Sequence, residues 1–241
     1  MSDGGLKAAP GPLSASEAVL GFAELGRADV ARAGGKGANL GELTAAGLPV
    51  PPGFVVAAPA YAAFRAAAGL GPRIAGLLAG VDVEDTARLA GAAAEVRAAI
   101  ESEPLPGWLG EAIRAAYLDL AAGEPDAPVA VRSSATAEDT ASASFAGMNE
   151  TVLNVRGAEA LLEAVRRCWS SLFGARTIYY RVRKGLPQAE MDIAVVVQRQ
   201  VEATRAGVMF TIDPASGDRD RLVIEAAFGL GESVVSGAVS P

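Results

Sequence analysis

The 241-residue chain carries 21 Lys and Arg against 28 Asp and Glu, a net charge of −7, and 51% of its residues are hydrophobic. That balance supports a sizeable core and argues against a general binder of nucleic acids or other polyanions. With no histidine and one cysteine, the chain cannot form an internal disulfide, build an ordinary catalytic zinc site or use imidazole as a base or phosphoryl acceptor.

Residues 1–13 are rich in Gly and Pro and predict a loose tail. A helical signal follows around Gly34-Gly35-Lys36-Gly37, with Leu40 and Leu43 on one face and Gly47 placed as a C-terminal cap. The prolines of Leu48-Pro49-Val50-Pro51-Pro52 force extended chain, and Phe54-Val55-Val56 reads as a short strand. From about 59 to 121 the period is helical: Leu89, Ala93, Val96 and Ile100 share a face, as do Leu109, Ile113, Ala116 and Leu120. Apolar Pro128–Val131 and β-branched Thr151–Val155 predict two strands around a loop of small hydroxyl residues. Residues 158–184 are helical in period, and Cys168 falls in step with Leu161, Val165 and Leu172 as a core residue. Strands are then expected at 193–201, 207–212, 222–226 and 234–239, with a polar turn at Asp213–Asp220. Helices early and strands late predict an α+β fold. No basic segment followed by an apolar stretch opens the chain, and no apolar run reaches spanning length. The expectation is a cytoplasmic protein with neither a membrane nor a nucleic-acid partner.

Two cations carry the chemistry. Lys36 invites a phosphate-loop reading, but the Walker spacing fails, because its first glycine would fall at Val30 and its Ser/Thr at Gly37. Spacing alone leaves Lys36 open between a solvated turn lysine and a phosphate ligand. Arg132 follows an apolar run and precedes Ser133, Ser134, Thr136, Thr140, Ser142 and Ser144. A guanidinium beside such a loop suits a phosphate chain, and composition leaves an exposed Ser-rich linker equally open. Residues 133–147 bury little apolar surface and are expected to form a mobile lid. Glu138 and Asp139 within it read as solvated or capping.

AGGKGANLGEL with GLPVPPGFVV, VAVRSSATAEDTASASFAGMNETVLNV, CWSSLFGARTIYYR, GVMFTIDP and FGLGESVVSGAV together resemble one family. This is the N-terminal ATP-binding domain of phosphoenolpyruvate synthase, pyruvate phosphate dikinase and rifampicin phosphotransferase. The resemblance implies an ATP-grasp-like fold whose two lobes close on ATP. It places Lys36 and Arg132 at the phosphates, the backbone of Gly147 against them and Thr151 at the nucleotide, with Gln198 and Val201 at the adenine hinge. It divides the chain into the tail, a helix-rich lobe at 14–197 and an incomplete, strand-rich second lobe at 198–241. Family members continue past this point, so the expectation is a C-terminally truncated ATP-grasp domain. The Mg²⁺ ligands, the phosphohistidine domain and the acceptor-binding domain would then lie beyond Pro241, with Asp213 and Glu225 matching no metal ligand of the family. The implied activity is ATP-dependent phosphorylation of a histidine on another domain, followed by transfer to pyruvate or to an antibiotic such as rifampicin. A non-catalytic nucleotide-binding fragment is the rival.

Overall fold

A computed structural model describes residues 13–136, 150–186 and 191–236. The chain folds as two compact units, 1–200 and 201–241.

The first unit opens with a short helix, α1 (Ala15–Ala18), whose Ser14 and Glu17 cap it reciprocally, and runs into strand β1 (Val19–Gly21). Two 3₁₀ turns lead to helix α2 (Val30–Ala45), which is broken at Gly34 by a left-handed φ of 67°. Gly47, at φ 73°, follows it in the position a helix-ending glycine takes. Strand β2 (Gly53–Val56) comes after the proline segment. Four helices follow: α3 (Ala58–Ala67), α4 (Leu70–Leu78), α5 (Thr86–Ser102) and α6 (Gly107–Ala121). Strands β3 (Val129–Ala135) and β4 (Thr151–Val155), helices α7 (Ala158–Ser170) and α8 (Ala175–Arg183) and strand β5 (Ile193–Arg199) complete the unit.

The five strands form one antiparallel sheet in the order β1-β2-β5-β3-β4. β5 arrives last in the chain yet sits at the centre, which explains why Ile193–Val197 is an unbroken, fully buried apolar run. Its alternation separates two cores. Ile193, Val195 and Val197 join Val129, Val131 and the apolar faces of α5, α6 and α7, including Leu89, Ile113 and Trp169. Ala194 and Val196 face the other way and pack with Val55 and with Ala33 of α2.

Cys168 is buried with Leu161, Val165 and Leu172, as the period of α7 predicts. In α2 the expected Leu40 and Leu43 face is split, with Leu40 half-buried against the second core. Leu43 is exposed, while Ala33, Gly34, Gly35, Gly37, Ala38 and Gly41 are buried. Small residues face the sheet because the helix lies too close for larger ones: a Cβ on Gly37 would stand 3.0 Å from Val55, and one on Gly41 2.4 Å from the Leu25 carbonyl. In α6 the centre of the buried face is Tyr117 rather than Ala116. The Tyr117 hydroxyl donates to the Ala127 carbonyl at 2.9 Å and accepts from the Gly157 N–H at 2.9 Å, tying α6 to the starts of β3 and α7. Tyr117→Phe leaves both backbone groups unpaired in the core. A loss of about 1–2 kcal/mol is expected, read as a lowered urea midpoint at unchanged slope.

The second unit holds an antiparallel ribbon of β6 (Arg205–Phe210) and β7 (Val223–Phe228). Between them is the expected polar turn, where Asp213 accepts from the N–H groups of Ala215 (2.8 Å) and Ser216 (3.4 Å) and Gly217 has φ 72°. The strand expected at 234–239 is corrected in its first part: Glu232–Val235 forms a short helix, α9, started at Gly231. The remainder of that segment lies outside the described residues. No helix among the described residues is long and apolar enough to cross a membrane.

Candidate functional site

Strand alternation brings three of the candidate residues onto one face of the sheet, the face that α2 covers. Arg132 of β3 is directly opposite Thr151 of β4 on one side and Val196 of β5 on the other. Directly opposed side chains share a face, with Cβ atoms about 4.5–5.5 Å apart. Gln198 is two residues beyond Val196 and so returns to that face, about 7–8 Å diagonally from Arg132. Thr151 is exposed, Arg132 half-buried and Gln198 buried.

Lys36 reaches the same strand from α2. Its ammonium donates to the Ser133 carbonyl at 3.1 Å, one residue from Arg132. Its backbone N–H donates to the Ser134 hydroxyl at 3.1 Å, and the Gly37 N–H does the same at 3.3 Å. The reason this helix can lie so near β3 is Gly34. A Cβ there would stand 2.2 Å from the Ser134 Oγ and 2.4 Å from its carbonyl oxygen. The strand β3 is held in turn at the base of the hydroxyl-rich segment. Ser133 donates its N–H to the Glu150 carbonyl (3.0 Å) and accepts the Glu150 N–H on its Oγ (2.9 Å).

The electrostatics favour an anion. Glu150 precedes Thr151 but pairs with Arg167 at 2.7 Å. Among the described residues no carboxylate pairs with Arg132. A half-buried guanidinium without a counter-charge among those residues, beside a lysine ammonium, is the donor set that phosphate oxygens match.

Gln198 differs from a free recognition residue, because its side-chain amide donates to the Pro51 carbonyl at 3.0 Å. Next to it, the N–H groups of Arg199 and Gln200 are committed to the Pro52 and Pro128 carbonyls, both at 2.9 Å. Val201 is exposed and belongs to the second unit. Gly147 lies outside the described residues, as does the rest of the expected lid from residue 137 to 147. The first residues assigned to that lid are corrected: Ser133, Ser134 and Ala135 are buried strand, paired along Ile193–Val195 of β5. No group of three or more Cys, Asp or Glu is gathered to hold a metal among the described residues, and Asp213 serves its own turn. A cleft of about 660 Å³ lies along β4 and α7, lined by residues that include Val152–Arg156, Glu163 and Arg167.

Read as members of a hydroxyl run, Ser133 and Ser134 do not stand out in the sequence. Their signal is position: they extend the strand that begins with the apolar run and passes through Arg132, and hydroxyls buried in a strand need partners.

The unit is an α+β fold that pins a lysine-bearing, glycine-broken helix against an arginine-bearing strand. The chain belongs to the family described as "Pyruvate phosphate dikinase, AMP/ATP-binding domain", which it matches over residues 30–241. It is 52% identical over 225 residues to a probable phosphoenolpyruvate synthase of Methanothermobacter thermautotrophicus, covering 92% of this chain and 33% of that protein. It is 45% identical over 231 residues to a phosphoenolpyruvate synthase of Pseudomonas aeruginosa, covering 93% of this chain and 29% of that one. A probable phosphoenolpyruvate synthase of Methanocaldococcus jannaschii is 52% identical over 220 residues, 90% of this chain and 18% of its own length. The chain thus spans a third or less of the length of these curated relatives.

Proposed function

We propose that this chain binds ATP in an ATP-grasp-like domain of a phosphoenolpyruvate-synthase-like phosphotransferase. Lys36 and Arg132 hold the phosphates, with Thr151 and the backbone of Gly147 beside them. The adenine lies beside Gln198 at the end of β5. In the complete enzyme the γ-phosphoryl group passes to a histidine on another domain and from there to pyruvate. A histidine acceptor must come from outside these 241 residues, since they contain none. Mg²⁺ would offset charge on the transferring group, and no described residues gather to hold it.

One observation supports the reading: the family is an AMP/ATP-binding one, and the Lys36 ammonium reaches the Ser133 carbonyl, one residue along the strand from Arg132. The names of the similar proteins favour pyruvate over an antibiotic as acceptor. The Gln198 amide, bonded to Pro51, supports a positioning role beside the adenine better than a free donor aimed at the base.

Calorimetric titration of ATP into the chain tests this. Lys36→Ala is expected to weaken binding about tenfold or more, the value of one charge-assisted contact. Arg132→Lys keeps the charge and loses the planar fork, and should weaken ATP by several-fold. Unchanged affinity in both variants would move the phosphates elsewhere.

A further inference from the structure

Ser134 has a bonding pattern that uses every capacity of a hydroxyl. Its hydrogen goes to the Ala33 carbonyl at 2.9 Å, and its two lone pairs accept the N–H groups of Lys36 (3.1 Å) and Gly37 (3.3 Å). The side chain is fully buried. The helical turn that restarts after Gly34 has its first amides pointing outward in search of acceptors, as every helix start does. Here the cap comes from a residue almost a hundred positions away in sequence and in a different element. A helix N-terminus ordinarily offers such amides to phosphate, but these two are already committed.

We propose that Ser134 is the positioning residue for Lys36, and that the Gly34–Gly37 segment offers phosphate a lysine ammonium in place of backbone amides. The proposal rests on the ATP reading of Lys36 and names how that lysine is aimed. Two anchors fix it: the backbone amide on the Ser134 Oγ and the ammonium on the Ser133 carbonyl, next to Arg132. The hydroxyl itself has no capacity left for a ligand. On this proposal the effect of Ser134 on ATP runs through Lys36 and is lost when the lysine is gone, whereas an effect carried by its bonds to Ala33 and Gly37 would persist.

A double-mutant cycle on ATP affinity reads this out. Ser134→Ala is expected to weaken ATP about tenfold in the wild-type background and less than twofold in the Lys36→Ala background. Amide exchange supplies the structural control. In Ser134→Ala the Lys36 and Gly37 amides should exchange fast while Val195–Val197 of β5 stay protected. If Ser134→Ala fails to fold, Ser134→Cys, a somewhat larger side chain with a poorer donor and acceptor, takes its place in the cycle. Equal weakening in both backgrounds would make Ser134 a purely structural residue and overturn the proposal, as would undiminished affinity of Ser134→Ala. A wild-type chain that does not bind ATP would remove the ATP reading itself, an outcome distinct from either.

Discussion

Gly34→Ala is expected to destabilise the first unit by about 2–6 kcal/mol, a large share of the roughly 5–15 kcal/mol that holds a domain of ordinary stability. Two costs add. At φ 67° and ψ 171° the residue occupies a region that is essentially glycine-only, worth about 1–3 kcal/mol to any side chain. The new methyl would also stand 2.2 Å from the Ser134 Oγ and 2.4 Å from its carbonyl oxygen. Neither atom can yield, because Ser134 is buried in β3 with Ala194 of β5 directly opposite. Relieving that overlap means moving α2 off the sheet, at a further cost of about 1–3 kcal/mol. Gly47→Ala isolates the first cost, since Gly47 has φ 73° and nothing within 4 Å of its missing Cβ. That variant should lose about 1 kcal/mol. Urea midpoints of the two variants check the difference, and equal shifts would mean that α2 floats free of β3.

The same geometry shows what the residues disclose and what they withhold. Elements with a strong period are legible: the faces of α5 and α7, the proline break before β2 and the apolar run of β5 follow from local pattern alone. The α2 face is not. Its buried side consists of Gly and Ala, which carry little hydrophobic signal and are buried because the helix and sheet approach closely, a tertiary fact. The helix α9 reads as strand in the sequence because Val234 and Val235 are β-branched, and tertiary context overrides that propensity.

For the site, the residue types at Lys36 and Arg132 point to an anion, yet nothing local says that the Lys36 ammonium reaches the strand one residue from Arg132. Their approach depends on β5 pairing with β3, and on a glycine and a serine at distant positions fitting each other. Alternation gives the shared face of Arg132 and Thr151 once the register is known, but register is set by the core and not by the strand itself.

Between pH 8 and 11 the chain is expected to lose about 3 kcal/mol of stability through one buried thiol. Burial pushes Cys168 from an ordinary 9.0 up to about 12, with the Glu150 carboxylate adding to the rise and Arg167 opposing it. The sign follows from proton counts. Above pH 9 the unfolded chain releases the thiol proton while the folded chain keeps it until about pH 12. Folding therefore carries an increasing penalty through that window, which at pH 11 is about two pH units of free energy. Two other buried groups titrate nearby with opposite effects. Burial raises Tyr61 to about 12, which costs stability above pH 10 in the same way. Burial lowers Arg181 to about 10, and there the folded state sheds its proton first, so stability is gained as pH rises. These two shifts act in opposite directions on stability over this window, and both are present alike in wild type and in a Cys168 variant. The measurement is urea unfolding at both pH values for wild type and Cys168→Ala. The variant should start about 1 kcal/mol lower at pH 8, from the small void left in the α7 core, and then lose far less than wild type by pH 11. Surface groups titrate alike in both proteins and cancel from the comparison. Parallel loss in the two would show that the thiol titrates normally and that the core around Trp169 and Leu172 admits water.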